Sequence, residues 1–83
     1  MAAKMVSEIT MPMLGHLMEE GTVVSWKKKV GDRIERGEII LEVEMDKATV
    51  EVESFVSGVL TKILVEEGIK VPVGTPLALV EDF

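Results

Sequence analysis

Among the residues that could do chemistry, one lysine stands out because it interrupts a regular alternation of apolar and acidic residues. The stretch from Glu42 to Phe55 reads EVEMDKATVEVESF, with Lys47 near its centre. His16 is the only histidine, and the chain contains no cysteine. A histidine without a second histidine or a cysteine does not make a metal site. We therefore predict no metal centre, and Lys47 is the residue whose position needs an explanation.

The alternation around Lys47 predicts a β-hairpin with this lysine at its tip. If Asp46 and Lys47 form a two-residue turn, every cross-strand pair joins residues of one character. The predicted buried face consists of Leu41, Val43, Met45, Ala48, Val50 and Val52. The predicted solvent face consists of Glu42, Glu44, Thr49, Glu51 and Glu53. A slip of one residue would bury the glutamates, so the register is well specified.

Two features of this predicted hairpin do not favour stability. Tight hairpin turns favour Asn-Gly or Asp-Gly, because glycine accepts a positive φ, and here Lys47 follows Asp46. Glu42 and Glu51 would face each other as like charges, a penalty of roughly 0.2–1 kcal/mol. Two interpretations stay open: an ordinary solvated turn whose lysine protects the strands from aggregation, or a turn selected to present Lys47.

An internal repeat predicts the elements that position this hairpin. Short apolar runs rich in Val and Ile, separated by glycines and without a helical period, indicate an all-β domain. Three glycines recur after 37 residues: Gly21, Gly31 and Gly37 return as Gly58, Gly68 and Gly74. Neither half can bury its apolar face alone, so we expect two sheets of about four strands packed face to face. The glycines are expected in turns that need a positive φ.

The same repeat predicts where the hairpin tip lies in the molecule. A shift of 37 residues places Lys47 on Thr10 in one direction and just beyond Phe83 in the other. The chain ends therefore take the place of the hairpin tip in the second half. We expect Lys47 at one pole and both termini near the other. Trp26, the only tryptophan, aligns with an isoleucine and is expected to anchor the core.

Composition and charge limit the classes of function. With 83 residues, 47% hydrophobic and 29% charged, the chain is predicted to form one domain over residues 1–83, with an ordered core at about 5–82. So small a domain hides only roughly 60% of its unfolded surface, which disfavours deep clefts and a self-contained enzyme. A net charge of -6 disfavours nucleic acids and anionic membranes. Without an apolar run of ~18 residues or a secretory signal, a soluble, intracellular and monomeric domain is expected.

The string EMDKATVEVES, with Asp46, Lys47 and Ala48 at its centre, closely resembles the lipoylation motif of the lipoyl domains of 2-oxo acid dehydrogenase complexes. Other segments are similar to the same family: MPMLGHLMEEGTVVSW to its first strand and following loop, VGDRIERGE to its second turn region, and GIKVPVGTPLALVED to its last. The segment MPMLGHLMEEG looks more like pyruvate or acetoin types than succinyl-transfer or branched-chain types. The resemblance implies a flattened barrel of two four-stranded sheets with quasi-two-fold symmetry.

The resemblance also implies a cofactor and a set of partners. Lipoic acid would be joined in amide linkage to Lys47, with Asp46 and Ala48 presenting the turn. The implied partners are a lipoate ligase or lipoyl/octanoyl transferase, a thiamine-diphosphate 2-oxo acid decarboxylase, an acyltransferase core and dihydrolipoamide dehydrogenase. The domain would be a non-catalytic swinging-arm carrier within a dihydrolipoamide acyltransferase chain. Its compartment would be a bacterial cytoplasm or a mitochondrial matrix.

Two surfaces are expected to take part in partner recognition. By the same resemblance, the loop that contains Leu14, Gly15 and His16 would lie beside the lipoyl tip and help the decarboxylase to recognise the domain. The acidic side chains of the hairpin would form the second docking surface: Glu42, Glu44, Glu51 and Glu53. The ordinary alternatives are a plain connector and a solvated strand face.

Two other identities share the predicted fold. Biotin carboxyl carrier domains set their modified lysine between two methionines, whereas Asp46 and Ala48 flank Lys47 in this chain. Binding or adaptor modules of the same fold carry no modified lysine, and they are usually interrupted by a helical hairpin. No such insertion is visible in the sequence.

Overall fold

Two antiparallel four-stranded sheets make up the computed structural model, which describes residues 5–13, 18–45 and 47–82. The strands are β1 (Val6–Thr10), β2 (Glu20–Trp26), β3 (Arg33–Ile34), β4 (Ile39–Met45), β5 (Ala48–Glu53), β6 (Gly58–Ile63), β7 (Lys70–Pro72) and β8 (Pro76–Glu81). One sheet has the order β1-β8-β6-β3 and the other, here called the hairpin sheet, has the order β5-β4-β2-β7. The predicted fold is confirmed. No helix in these three ranges is long and apolar enough to cross a membrane.

The core lies between the two sheets and is built from the inward side of each strand. In β4, the fully buried Leu41 and Val43 alternate with Glu42 and Glu44 on the opposite side, as a half-buried strand requires. Each such aliphatic side chain contributes about 1.5–3 kcal/mol through burial. At the edge of the core, Trp26 is half-buried and donates its indole N–H to the carbonyl oxygen of Val65 at 3.0 Å.

The internal repeat is visible in the backbone hydrogen bonds. The amide of Val23 donates to the carbonyl oxygen of Ile69 at 3.0 Å, and the amide of Leu60, 37 residues later, donates to that of Asp32 at 2.9 Å. The pairs β2–β4 and β6–β8 also share a register shift at equivalent positions, as do β4–β5 and β1–β8. These shared irregularities confirm two similar halves, because a β-bulge is a specific local feature.

The first strands of the two halves, β1 and β5, are separated by a number of residues other than 37. Val43 and Val80 are equivalent by the shift of 37 residues, and they pair with Val50 and Ser7 respectively. Ser7 therefore corresponds to Val50, an offset of 43 residues. The connection from β1 to β2 is thus six residues longer than the one from β5 to β6.

The predicted match of Lys47 with Thr10 is wrong for this reason. With the offset of 43 residues, the position of Lys47 corresponds to residue 4, which lies outside the described residues. The error arises because the glycine repeat does not extend into the first strand, and an insertion lies between them. The conclusion drawn from the match nevertheless survives, since residue 4 also belongs to a chain end.

The hairpin tip and the chain ends lie at opposite poles. Because β2 runs antiparallel to β4, its first residue Glu20 lies at the level of the tip, which defines the hairpin pole. Glu20 pairs with Pro72, and β8 starts shortly afterwards at Pro76 and runs away from this pole. It ends where the amide of Asp82 donates to the carbonyl oxygen of Met5 at 3.0 Å. The predicted separation of Lys47 from the chain ends is confirmed as far as the described residues Met5 and Asp82.

The six repeated glycines have two different functions. Four have the predicted positive φ of 89° to 97°: Gly31, Gly37, Gly68 and Gly74. Gly21 and Gly58 instead lie inside strands without a positive φ, so the turn prediction is wrong for them. A Cβ on Gly58 would overlap the backbone carbonyl of Glu81, and one on Gly21 would lie 2.8 Å from the terminal methyl of Met18. These two glycines allow close packing.

We expect Gly58→Ala to destabilise the domain by about 2 to 3 kcal/mol, since overpacking a tight site costs roughly 1–3 kcal/mol and the obstacle is backbone. Gly21→Ala is the matched control, because its Cβ would meet the ends of side chains. Its expected cost is about 1 kcal/mol, at the lower end of the same range. Urea denaturation measures both. Equal losses, or a larger loss for Gly21→Ala, would contradict this account of the two glycines.

Candidate functional site

The β4–β5 hairpin has the predicted register at every position tested. Met45 pairs with Ala48, and the next pair towards the core is Glu44 with Thr49. The chain therefore reverses between Met45 and Ala48, and Lys47 lies in that turn with an exposed side chain. Asp46, the other residue of the predicted turn, lies outside the described residues.

Burial on the inner side of the hairpin falls steadily towards the tip. Leu41, Val43 and Val52 are buried, Met45 and Val50 are half-buried, and Ala48 is exposed. The prediction that Ala48 belongs to the buried face is therefore wrong. The alternation places its side chain on the inner side, but the hairpin extends past the packed part of the two sheets. Lys47 is consequently held beyond the core, on a strand pair whose base is fixed within it.

The outer side of the hairpin is acidic, and its glutamates differ in solvent exposure. Glu44, Glu51 and Glu53 are exposed as predicted, whereas Glu42 is half-covered and its carboxylate lies 3.1 Å from the amine of Lys27. That ion pair offsets the repulsion between Glu42 and its cross-strand partner Glu51. Within the described ranges, no group of three or more His, Cys, Asp or Glu could hold a metal ion.

These glutamates lie at different distances from Lys47. Glu44 is one pair below the turn, so it is the acidic residue nearest to the lysine within the described hairpin. Glu53 pairs with Ile39 at the other end of the strands. At roughly 3.3 Å per residue, Glu53 lies about 20 Å from Lys47. The structure thus places Glu44 beside the tip and separates Glu53 from it.

Lys47 differs from several other lysines in having no ion-pair partner among the residues that the structure describes. Carboxylates lie within 4 Å of Lys27, Lys28 and Lys70, whose ion-pair distances are 3.1, 2.6 and 3.8 Å. No ion pair or hydrogen bond joins the Lys47 side chain to another described residue. Modification of its amine would therefore break no contact within this part of the chain.

The loop residues predicted to help recognition, Leu14, Gly15 and His16, lie outside the described residues. The connection that contains them begins after β1 ends at Thr10 and enters β2 at Glu20. Its described flanks, at Met11 and Glu20, both lie at the hairpin pole. The same connection holds the six residues that have no equivalent in the other half of the repeat. The extra length of this connection thus lies between two flanks that are both at the hairpin pole.

Buried contacts at the hairpin pole, which the sequence interpretation missed, fix both flanks of this connection. Met11 and Met18 are 1% and 9% exposed, and their side chains meet over Gly21, whose missing Cβ leaves room for them. The carbonyl oxygen of Glu19 also accepts a hydrogen bond from the amide of Val73 at 2.9 Å. The repeated Gly21 is the sequence signal for these contacts, although the glycine repeat by itself predicts a turn.

Comparison with known proteins agrees with this architecture. The family model Biotin_lipoyl, described as "Biotin-requiring enzyme", matches residues 7–80. Over 77 residues the chain is 47% identical to the Arabidopsis thaliana dihydrolipoyllysine-residue acetyltransferase component 5 of the chloroplastic pyruvate dehydrogenase complex, which covers 93% of this chain and 17% of that protein. Over 78 residues it is 47% identical to the mitochondrial pyruvate dehydrogenase complex protein X component of Saccharomyces cerevisiae, with 93% and 19% covered.

A solved structure distinguishes between the biotin and lipoyl branches of this family. The lipoyl domain of the 2-oxoglutarate dehydrogenase complex from Azotobacter vinelandii matches with a TM-score of 0.73 and 35% identity, over 92% of this chain and 98% of that one. The chain belongs to the biotin/lipoyl family and is a lipoyl carrier domain of the 2-oxo acid dehydrogenase acyltransferase type. Both curated relatives belong to pyruvate dehydrogenase complexes, in agreement with the predicted pyruvate-type resemblance. This chain spans less than a fifth of their length.

One ion pair between residues that follow β2 and precede β4 links the stability of the domain to pH. The amine of Lys28 lies 2.6 Å from the carboxylate of Glu38. This hydrogen bond is the main reason that the pKa of Glu38 is lowered, and a hydrogen bond from the amide of Glu35 contributes. The same contact with Glu38 raises the pKa of Lys28. The pair fixes the turn that leads into β4 and so supports the base of the hairpin.

We expect this pair to stabilise the domain between its two titrations. The contribution of Glu38 is present above its unfolded pKa of about 4.3 and is lost as pH falls through the lowered folded value. The contribution of Lys28 is complete below about 10.4 and is lost as pH rises through its raised folded value. Glu38→Gln should therefore weaken the pH dependence of urea denaturation below about pH 5. The exposed Glu66→Gln is the control, and an unchanged acid dependence in Glu38→Gln would exclude this role.

Proposed function

We propose that Lys47 is the attachment point of lipoic acid and that this domain carries the cofactor between the active sites of a 2-oxo acid dehydrogenase complex. The observation that supports the proposal is the position of Lys47: it lies in an exposed turn, without an ion-pair partner among the described residues, on a hairpin whose base is packed in the core. Membership of the family adds the chemistry, since lipoyl domains carry lipoic acid on a lysine.

The residues around Lys47 suit a covalently attached arm. Forming an amide removes the positive charge of a lysine, which would be costly if that charge were held in an ion pair. The long, flexible lysine stem extends the reach of the cofactor. The exposed Ala48 has a small side chain that leaves the turn accessible. We also propose that Asp46 orients the turn for the modifying enzyme, either a lipoate ligase or a lipoyl/octanoyl transferase.

The proposed carrier function needs no catalytic group in this domain. When bound, lipoic acid supplies a redox-active acyl carrier that is loaded by a thiamine-diphosphate 2-oxo acid decarboxylase, unloaded to coenzyme A by an acyltransferase core and reoxidised by dihydrolipoamide dehydrogenase. The protein contributes a rigid support that raises the effective concentration of the arm at each partner. Both relatives named above belong to pyruvate dehydrogenase complexes, so we propose pyruvate as the 2-oxo acid.

Recognition by these partners is proposed to use the hairpin pole. Glu44 and Glu51 offer exposed carboxylates on the hairpin, whereas Glu42 is engaged by Lys27 and is the weaker candidate. The loop with Leu14, Gly15 and His16 completes the proposed surface, because both its flanks are fixed at this pole. Glu53 lies too far from the tip to contact a partner bound only there. We therefore propose that Glu53 takes no part in the recognition of Lys47 by the partner enzymes.

The compartment is proposed from the same relatives. Their names place them in mitochondria or chloroplasts, and a third pyruvate dehydrogenase relative, 47% identical over 73 residues, comes from the bacterium Rhizobium meliloti. The mitochondrial matrix and the bacterial cytoplasm are both compatible with these relatives, and both stay predictions.

Lys47 is expected to be the sole site of lipoylation when the domain is treated with lipoate ligase and lipoate. Peptide mapping by mass spectrometry should place the group on Lys47, and Lys47→Arg should stay folded but unmodified. A positional control moves the lysine by one residue, as in Asp46→Lys combined with Lys47→Ala. Exposed turn changes usually alter stability by less than about 0.5 kcal/mol, yet modification should fall sharply. Biotin on Lys47, or lipoate on Lys27 to Lys29, would overturn the proposal.

We further expect the lipoylated domain to be inactive by itself and to accept acyl groups only when a pyruvate decarboxylase component is added with pyruvate. The physical reason is the absence of a catalytic constellation within the described residues, where the hairpin pole carries carboxylates, lysine amines, threonine hydroxyls and apolar side chains. Intact mass after incubation measures the transfer. Glu44→Gln should slow it and Glu66→Gln should not. Turnover without the decarboxylase would contradict the carrier assignment.

A further inference from the structure

A second surface of the domain, distant from Lys47, has the features of a peptide-binding groove. The strands β1 and β5 are each at the edge of a sheet, and a cavity of about 210 Å³ lies between them. Its apolar lining consists of Ile9, Pro12, Val52, Phe55 and Val56. A cavity of roughly 150 Å³ accommodates a benzene ring, so this one has room for one large apolar side chain.

Phe55 is the most unusual residue of this groove. Its side chain is 70% exposed, although an aromatic ring gains most from burial. The backbone around it is fixed: the buried Ser54 donates its hydroxyl to the carbonyl oxygen of Val56 at 2.6 Å and accepts the amide of Val56 at 3.2 Å. The amide of Gly37 also donates to the carbonyl oxygen of Ser54 at 2.8 Å. The exposure of Phe55 is therefore enforced by its neighbours and does not come from a loose loop.

The charge on the described lining of this groove is of one sign. Glu8 and Glu53 line the cavity together with the apolar residues, and no lysine or arginine belongs to the part of the lining that the structure describes. Neither carboxylate forms an ion pair with another described residue. The whole chain has a net charge of -6. A ligand with an apolar side chain next to a positive charge would match both properties of the site.

The backbone of the two edge strands adds a third property. An edge strand leaves the N–H and C=O groups of alternate residues without a partner strand. An extended peptide can pair with such groups while a neighbouring pocket selects its side chain. The groove between β1 and β5 offers both features in one place.

From these observations we infer that the β1–β5 groove binds an extended segment of a partner protein, with one large aliphatic or aromatic side chain beside a lysine or arginine. The side chain enters the cavity against Phe55, and the positive charge lies against Glu8 and Glu53. This interaction is separate from modification of Lys47, because Glu53 lies about 20 Å from that residue along the strand. The area is small, so the complex is weak and transient.

The test is an NMR titration of the ¹⁵N-labelled domain with the peptide acetyl-Lys-Val-Leu-Val-Lys-amide. Saturable shifts are expected for the amides of Ile9, Thr10, Val52 and Val56, with a dissociation constant below about 1 mM. Two matched peptides are controls: glutamates in place of both lysines, and serines in place of the three apolar residues. Neither should bind measurably.

Variants of the domain separate the groove from general charge attraction. Phe55→Ser and Glu53→Lys should each weaken binding at least about fivefold, which is a loss of roughly 1 kcal/mol. Val30→Ser, at an apolar residue that is 57% exposed outside the groove, should leave binding unchanged. Spectral dispersion verifies that each variant is folded.

Three results would overturn the inference. The first is an absence of saturable shifts. The second is equal binding of the serine peptide, which would mean that charge alone acts. The third is a set of concentration-dependent shifts at β1 and β5 without any peptide, which would make a second copy of the domain the occupant. None of these outcomes depends on whether Lys47 carries lipoic acid.

Discussion

The pairing register of β4 with β5 is the constraint on which the rest of this structure depends. Leu41 and Val43 can be buried only if Glu42 and Glu44 face water, because successive residues of a strand point to opposite sides. A slip of one residue would place charged carboxylates in the core, where an unpaired charge is very unfavourable. The position of Lys47 in the turn follows from this register. A fixed core thus holds one amine at a fixed place outside it.

The quasi-symmetry of the domain explains why the hairpin tip and the chain ends lie at opposite poles. Each half contributes strands to both sheets, and the last described residues of the chain, Met5 and Asp82, lie at the pole opposite the hairpin tip. The halves differ in the connection after Met11, which is six residues longer than its counterpart. The two flanks of this connection are packed at the hairpin pole through Met11 and Met18.

Acidic residues serve different purposes on different parts of the hairpin sheet. Glu38 and Glu42 form ion pairs with Lys28 and Lys27, on the side of the hairpin sheet away from the tip. Glu44 is exposed beside the turn. Exposed ion pairs contribute little to stability, typically below about 1 kcal/mol, so the pairs at the base matter more for local geometry and pH dependence.

The sequence alone determined the all-β class, the two halves, the hairpin register and the place of Lys47, because strand alternation and repeat spacing are local patterns that an energetic penalty enforces. It did not determine which residue of the other half corresponds to Lys47. The extra residues between β1 and β2 change the separation of equivalent residues from 37 to 43, and no sequence pattern shows this change. Nor did it separate Gly21 and Gly58, which pack closely, from the glycines with positive φ. The exposure of Ala48, the Lys27 to Glu42 ion pair and the groove beside Phe55 were decided by the tertiary structure. Each depends on how far the two sheets overlap and on which distant strands become neighbours. Both properties arise from contacts between residues that are far apart in the sequence, so no local pattern predicts them.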